Sequence, residues 1–144
     1  MKIKYTPSFF DDYSEVEYSP RLPVVFTHPK TNREVTIFGL VDSGAAETIL
    51  HARLARLFGI EDIASGEKVV YGGVGGLVEG HRHTLTVRVV GGRTAYDITC
   101  AFAPIADVDC LLGQRGFFEN YKVVFEKYKN EFEIIAKRRR RSEA

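Results

Sequence analysis

A single carboxylate stands at the end of an apolar run and is followed by residues with small side chains. Residues 37–41 form the apolar run, and Asp42, Ser43 and Gly44 follow it directly. The run predicts a strand buried on both faces, and a glycine after an aspartate permits a sharp turn. Backbone N–H groups and the Ser43 hydroxyl can then hold the carboxylate in place. A carboxylate fixed in this way can act as a general acid or base, although Asp-Ser-Gly is also an ordinary turn signal.

The segments around Asp42 predict a mainly β chain. The β-rich residues 22–27 and 34–41 flank turn-forming residues, so they predict an antiparallel pair whose second strand delivers Asp42. Helical spacing follows, with Thr48 able to cap the helix and Gly59 to end it. The predicted helix covers residues 48–58, and further strands are predicted at 67–71, 77–90, 96–102, 108–112, 121–125 and 131–135. Without βαβ alternation, this pattern favours a closed sheet or barrel with one or two short helices.

A cluster of glycines separates two of the predicted strands. Residues 72–76 have the sequence GGVGG, and they lie between the strands predicted at 67–71 and 77–90. Because glycine loses the most conformational entropy on folding, such a tip is either mobile or needs backbone conformations closed to other residues. The alternative is a flexible hairpin turn without a further role.

Composition limits the class of protein. The chain has 144 residues, 44% of them hydrophobic, which is enough for one ordinary core. No apolar run is long enough to cross a bilayer and no signal-peptide core follows the first residues, so a soluble cytoplasmic protein is expected. The two cysteines, Cys100 and Cys110, do not form a framework for disulfides or zinc. Cys100 is expected to be a reduced thiol in the core.

The charge distribution separates a folded body from a tail. Five basic residues lie within residues 137–141 and one acidic residue follows them, which leaves residues 1–136 with a net charge of −3. We expect an irregular lead-in at residues 1–20 with at most one short strand, a folded domain at 21–136 and a disordered basic tail at 137–144. The tail favours a solubilising end over nucleic-acid binding, because the body is acidic.

Metal and phosphate chemistry are not favoured. A metal site would have to use histidines without a cysteine or acidic partner at ligand spacing. The histidines are His28, His51, His81 and His83. The glycine cluster also lacks the lysine and the strand-to-helix setting of a phosphate-binding loop. No metal and no cofactor are therefore expected.

Three separated motifs together resemble the retropepsin-like aspartic proteases. The sequence LVDSGA at 40–45 resembles the active-site signature of that family, and GGVGG at 72–76 resembles its flap tip. The sequence LLG at 111–113, followed by Phe117 and Phe118, is similar to the element near the family's C-terminus. Their order and spacing match over roughly residues 20–136. The segment at 48–58 looks more like the cellular and bacterial members than the retroviral ones.

The resemblance implies a fold, an activity and an assembly. The fold is a closed β-barrel of the acid-protease type with a flap hairpin, and the activity is that of an aspartic endopeptidase acting on extended peptides or unfolded protein. That reaction needs two carboxylates sharing a proton. Asp107 and Asp109 lack the Ser/Thr-Gly context, so the second carboxylate is expected from Asp42 of another copy in a homodimer.

The resemblance also implies site residues. Asp42, Ser43 and Gly44 are the expected catalytic group, and Glu47 is the one charged residue expected to border the cleft. The expected substrate-binding residues are Ala45, Ala46, Glu47, Gly73, Val74, Gly75, Pro104 and Ile105. Val74 would lie at the tip that closes over the substrate, and Pro104 and Ile105 in the loop that walls the side-chain pockets.

The sequence departs from the retroviral pattern at two positions. Retroviral members carry an acidic residue where this chain has Ala46 and an arginine where it has Gln114, and these two form an ion pair that supports the dimer. Arg115 replaces them only in part. An alternative hypothesis is therefore a catalytically inert module of the same fold that binds peptides or dimerises.

Overall fold

The computed structural model describes residues 1–9, 16–73 and 75–138, and this part of the chain is mainly β. Its strands are short, apart from β8, and three short 3-10 helices connect some of them. The strands are β1 (Lys2–Lys4), β2 (Thr6–Phe9), β3 (Val16–Ser19), β4 (Arg21–Thr27), β5 (Glu34–Val41), β6 (Ile49–His51), β7 (Glu67–Gly73), β8 (Gly76–Val89), β9 (Tyr96–Ala103), β10 (Cys110–Leu112), β11 (Tyr121–Glu126) and β12 (Glu131–Ala136).

The central sheet has seven strands in the order β4-β5-β10-β6-β9-β8-β7. An additional pairing joins β4 to β8, so the hydrogen-bonded neighbours of six strands form a ring. A smaller sheet in the order β1-β12-β11 joins the two ends of the described chain. The mainly β prediction is confirmed, whereas closure into a barrel stays a prediction.

The strand that leads to Asp42 forms where the sequence predicts it. β4 and β5 pair antiparallel from Arg21 opposite Leu40 to Thr27 opposite Glu34. The expectation of burial on both faces is wrong, because the Phe38 side chain is 47% exposed while Ile37 and Val41 are buried. The strand therefore follows the alternation of a sheet with one face in the core.

The core is built from the alternating faces of β8 and β9 and from aromatic side chains. Leu85 pairs with Ile98, and Val87 with Tyr96, so these apolar residues share one face as predicted. Cys100 is fully buried as a free thiol, and burial raises its pKa to about 12. It is therefore a neutral core side chain. The largest fully buried aromatic residues are Phe26, Phe58, Phe102, Phe117 and Phe132.

The helix predicted at residues 48–58 is wrong in its first part. Residues Ile49–His51 form β6, which pairs with β10 and runs parallel to β9, and a 3-10 helix follows at Ala52–Phe58. His51 caps this helix, and Gly59 ends it with φ at 79°, as its glycine predicts. Thr48 is not a cap, because the cross-strand pairing of β6 overrides the local helical spacing.

The irregular lead-in expected at residues 1–20 is also wrong. β1 pairs with β12, β2 pairs with β3, and Tyr5 packs edge-on against Phe132 in the core. These strands have three or four residues, too few for a periodic signal, and β1 finds its partner more than 120 residues away in sequence. The predicted tail at 137–144 lies mostly outside the described residues, which end at 138.

The last part of the chain contains the predicted hairpin of β11 and β12. The helical turn expected before it, at residues 114–120, is a series of turns in which Phe117 is buried. Across the described ranges, no helix combines the length and the apolar character that a bilayer crossing requires.

Candidate active site

Asp42 directly follows β5, beside the strand that carries the LLG motif. β10 runs parallel to β5, with Leu111 opposite Leu40 and Leu112 opposite Val41. The Asp42 N–H continues this pairing and donates to the Leu112 carbonyl at 3.0 Å. Two motifs about 70 residues apart in sequence are therefore adjacent, and the backbone of Asp42 is fixed by the sheet.

The turn after Asp42 holds its carboxylate. The Gly44 N–H donates to Asp42 Oδ1 at 2.9 Å, and the Ala45 N–H donates to the Asp42 carbonyl at 3.2 Å. Ser43 contributes through its carbonyl, which accepts a hydrogen bond from Gln114 Nε2 at 2.7 Å. Gln114 thus binds the turn within the same chain. It occupies the position at which the retroviral proteases carry the arginine of their ion pair.

Gly113 makes close packing of the turn possible. A Cβ at this position would lie 2.2 Å from the Glu47 carbonyl oxygen and 2.7 Å from that of Ala45. Thr48 is fully buried beside it, accepting a hydrogen bond from the Gly113 N–H at 3.2 Å and donating one to the Arg115 carbonyl at 2.9 Å. Because Gly113 has no side chain, the segment after β10 can pack directly against the turn after Asp42. These two segments are the two halves of the site.

A cleft of about 630 Å³ opens at Asp42. Its surface is mainly apolar, and it is enclosed by the turn after Asp42, the strands on either side of the glycine cluster and the loop after β9. The lining residues are Asp42, Gly44, Ala45, Ala46, Ile49, Val70, Tyr71, Gly72, Gly75, Gly76, Val78, Pro104, Ile105, Ala106 and Leu111. Asp42 is the one carboxylate among these described lining residues.

The cleft includes many of the residues expected from the sequence, but not all of them. Ala45, Ala46, Gly75, Pro104 and Ile105 all line it. Gly73 ends β7 at the tip of the hairpin, and Val74 lies outside the described residues. Glu47, expected to border the cleft, does not line it, because its carboxylate is directed toward another set of partners.

Glu47 forms a buried cluster with two residues of the hairpin. Its side chain is 9% exposed and accepts hydrogen bonds from Arg82, including Nε at 3.1 Å, and from the Tyr71 hydroxyl at 2.8 Å. Arg82 Nη1 also donates to Glu67 at 3.0 Å. The hydrogen bonds from Arg82 lower the pKa of Glu47, with a smaller lowering from Tyr71, against the opposing effect of burial.

Sequence reasoning did not find Arg82 and Tyr71. Their side chains lie on the same face of the hairpin that β7 and β8 form, because side chains alternate between the two faces of a strand. This shared face was a usable signal for a common role. Their partner was not predictable, because Glu47 lies 24 residues from Tyr71 and 35 from Arg82 in sequence. Only the packing of the hairpin against the turn after Asp42 brings the three together.

We expect Glu47 to make stability depend on pH. Because its pKa in the folded state is below the ordinary value of 4.5, its contribution is complete above that value and is lost as pH falls through the folded-state pKa. Glu47→Gln should lower the free energy of unfolding by about 2 kcal/mol at neutral pH. Denaturant unfolding of both proteins should show this difference shrinking in acid, and a difference independent of pH would contradict the assignment.

Three of the four histidines have local roles. His28 Nδ1 accepts from the Lys30 N–H at 3.1 Å, His51 Nδ1 accepts from the Arg53 N–H at 3.1 Å, and His83 Nε2 lies 2.8 Å from the Ile63 carbonyl oxygen. Among the residues that the structure describes, no three His, Cys, Asp or Glu side chains are grouped to hold a metal ion.

Comparisons with known proteins agree with this geometry. A family model described as "gag-polyprotein putative aspartyl protease" matches residues 30–118, which include Asp42, the glycine cluster and the LLG motif. No curated protein matches the sequence. A solved retropepsin-like aspartic protease from Rickettsia conorii is 20% identical, with a TM-score of 0.62, and the match covers 94% of this chain and 98% of that one.

Two other solved structures match less of the chain. The protease of EIAV, in complex with an inhibitor, is 24% identical over 68% of this chain and 84% of its own, with a TM-score of 0.49. The retroviral protease-like domain of Ddi1 from Leishmania major is 26% identical over 65% of this chain and 71% of its own, with a TM-score of 0.40.

The fold and the motifs around Asp42 thus define a chain of the retropepsin-like class. By the match over residues 30–118, this protein belongs to the gag-polyprotein putative aspartyl protease family.

Proposed function

We propose that this protein is a homodimeric aspartic endopeptidase that hydrolyses extended peptides at Asp42. The observation that carries the proposal is the position of Asp42 in an apolar cleft that has no second carboxylate among its described lining residues. Because the reaction needs two carboxylates, a second copy of the chain must supply the other one.

The reaction follows from the shared proton of the two aspartates. The ionised Asp42 takes a proton from a water molecule as its oxygen attacks the peptide carbonyl carbon, and the protonated Asp42 of the other copy donates to the carbonyl oxygen. Collapse of the tetrahedral intermediate breaks the C–N bond, the Asp42 that took the water proton passes it to the leaving amine, and the other Asp42 regains a proton from a hydroxyl of the intermediate. The Gly44 N–H, bonded to Asp42 Oδ1, orients the carboxylate during these transfers.

The cleft supports a preference for apolar side chains in an extended substrate. Ala45 and Ala46 leave room beside Asp42, and Ile49, Pro104 and Ile105 offer apolar surface. β7 and residues 76–82 of β8, which we call the glycine hairpin, would close over the substrate as a flap. Closure would exclude water from the reacting bond and expose backbone groups to the substrate backbone.

Mixed dimers give the sharpest test of the proposal. We expect wild-type protein to cleave an unstructured protein such as reduced casein and to be inhibited by a transition-state mimic of the pepstatin type. If Asp42→Asn chains are mixed with wild type in equal amounts and allowed to exchange, about a quarter of the dimers carry two aspartates. Activity per dimer should fall to about that fraction.

The control is a mixture of wild type with an Asp107→Asn chain, a loop aspartate outside the cleft lining, which should keep full activity. Activity that falls only to half on mixing with Asp42→Asn would show that each subunit works alone. A wild-type protein that sediments as a monomer and cleaves nothing would instead favour the inert binding module.

A further inference from the structure

We propose that Glu47, Arg82 and Tyr71 form a latch that holds the glycine hairpin against the turn after Asp42, and that this latch sets substrate affinity. The inference rests on the proposed function and names positioning residues for it. In the part of the chain that the structure describes, hydrogen bonds link the Glu47 side chain, which follows the turn after Asp42, to Tyr71 and Arg82 of the glycine hairpin.

The latch connects the two walls of the cleft. Glu47 directly follows Ala46, which lines the cleft, and its backbone forms a β-bridge with Arg115. On the other side, Tyr71 itself lines the cleft while its hydroxyl donates to Glu47 Oε2 at 2.8 Å. Movement of the hairpin away from Glu47 therefore moves Tyr71 out of the cleft wall.

The contact is specific in shape as well as charge. Both Glu47 oxygens accept from the Arg82 guanidinium, and the Arg82 side chain is 20% exposed. Gly80 lies between Val78 and Arg82 on the same strand face, and its lack of a side chain lets β8 pack closely on β9 there, since a Cβ would lie 3.0 Å from Ala103 Cβ and 3.0 Å from the Phe102 carbonyl oxygen. A forked guanidinium suits this arrangement better than the single ammonium of a lysine.

The expected effect is on KM more than on kcat. Loss of the latch populates conformations with the hairpin displaced, and substrate affinity falls in proportion to the competent fraction that remains. Bound substrate draws the hairpin back, so the chemical step at Asp42 is preserved. With hydrogen bonds to a charged group lost, we expect Arg82→Gln to raise KM about tenfold and to change kcat by less than about twofold.

The matched control is a second ion pair on the same hairpin. Lys68 Nζ lies 2.9 Å from Glu79 Oε1, and both side chains are more than half exposed and directed to solvent. The double change Lys68→Gln and Glu79→Gln removes one positive and one negative charge from the glycine hairpin without altering a contact to Glu47. We expect KM to stay unchanged in this control.

The test measures KM and kcat with a quenched fluorescent peptide that carries apolar residues on both sides of the cleaved bond. Amide hydrogen exchange of β7 is measured in parallel without substrate. Arg82→Gln and Glu47→Gln should raise KM by similar factors, the double variant should add little to either, and Arg82→Lys should recover part of the loss. Exchange in β7 should be faster in both single variants than in the control.

Tyr71→Phe guards against failure to fold, because it removes one hydroxyl and keeps the ring. It should raise KM by a smaller factor, about threefold, with normal thermal unfolding. Lower thermal stability with wild-type KM in the Arg82 and Glu47 variants would overturn the latch and leave a merely structural pair. A wild-type chain without any cleavage would overturn the proposed function, whereas unchanged exchange in β7 would overturn the latch alone.

Discussion

Replacing Asp42 by asparagine is expected to lower kcat/KM by about a thousandfold or more, since the proposed reaction loses both its general base and its general acid. Asparagine has nearly the same shape, and its amide oxygen can still accept the hydrogen bond from the Gly44 N–H. The fold should therefore persist. The measurement is steady-state cleavage of the peptide substrate, with thermal unfolding recorded on the same preparation.

The matched control for this variant is Asp107→Asn. Asp107 adjoins the cleft residue Ala106 but does not line the cleft, and its φ of 65° is one that asparagine adopts readily. We expect its activity to remain within about twofold of wild type, because no proton transfer passes through it. If Asp107→Asn were as inactive as Asp42→Asn, the second carboxylate would come from the same chain, and the dimeric mechanism would be wrong.

Replacing Gly113 by alanine is expected to lower the free energy of unfolding by about 3 kcal/mol or more. The new Cβ would lie 2.2 Å from the Glu47 carbonyl oxygen, and backbone atoms cannot rotate away as a side chain can. Relief requires the turn after Asp42 to separate from β10. Cleavage activity should fall with stability, because the same separation displaces Asp42.

Gly72→Ala is the comparison for Gly113→Ala. At Gly72 a Cβ would make an ordinary contact, 3.9 Å from Leu77 Cδ2, so we expect a change in stability below about 1 kcal/mol. Denaturant unfolding of the two variants and wild type measures the difference. Similar stability of Gly113→Ala and wild type would show that the two halves of the site do not pack as described.

Local sequence was sufficient to predict strands where an alternating apolar pattern is bounded by turn-forming residues. β4, β5, β8 and β9 form as predicted because their apolar residues alternate and because turn-forming residues separate them. It was insufficient for β6, whose residues have helical spacing. There the pairing of Ile49 with Leu111 and with Ala101 decides the conformation, and long-range pairing is invisible in a local window.

The features of the candidate site also divide into those that local sequence predicts and those that depend on long-range packing. The sequence by itself determined that Asp42 follows a strand, that a glycine turn holds its carboxylate, and that a glycine-rich tip and an LLG motif accompany it. These features depend on neighbouring residues, since backbone conformation and hydrogen bonding within a turn are local properties.

Only the tertiary structure decided which distant groups meet. It placed Gly113 against the carbonyl groups of Ala45 and Glu47, and it directed the Glu47 carboxylate to Arg82 and Tyr71 instead of the cleft. A buried carboxylate must find hydrogen-bond donors, but which donors come within reach depends on how sheets pack. That packing joins residues far apart in sequence, and no local pattern specifies it.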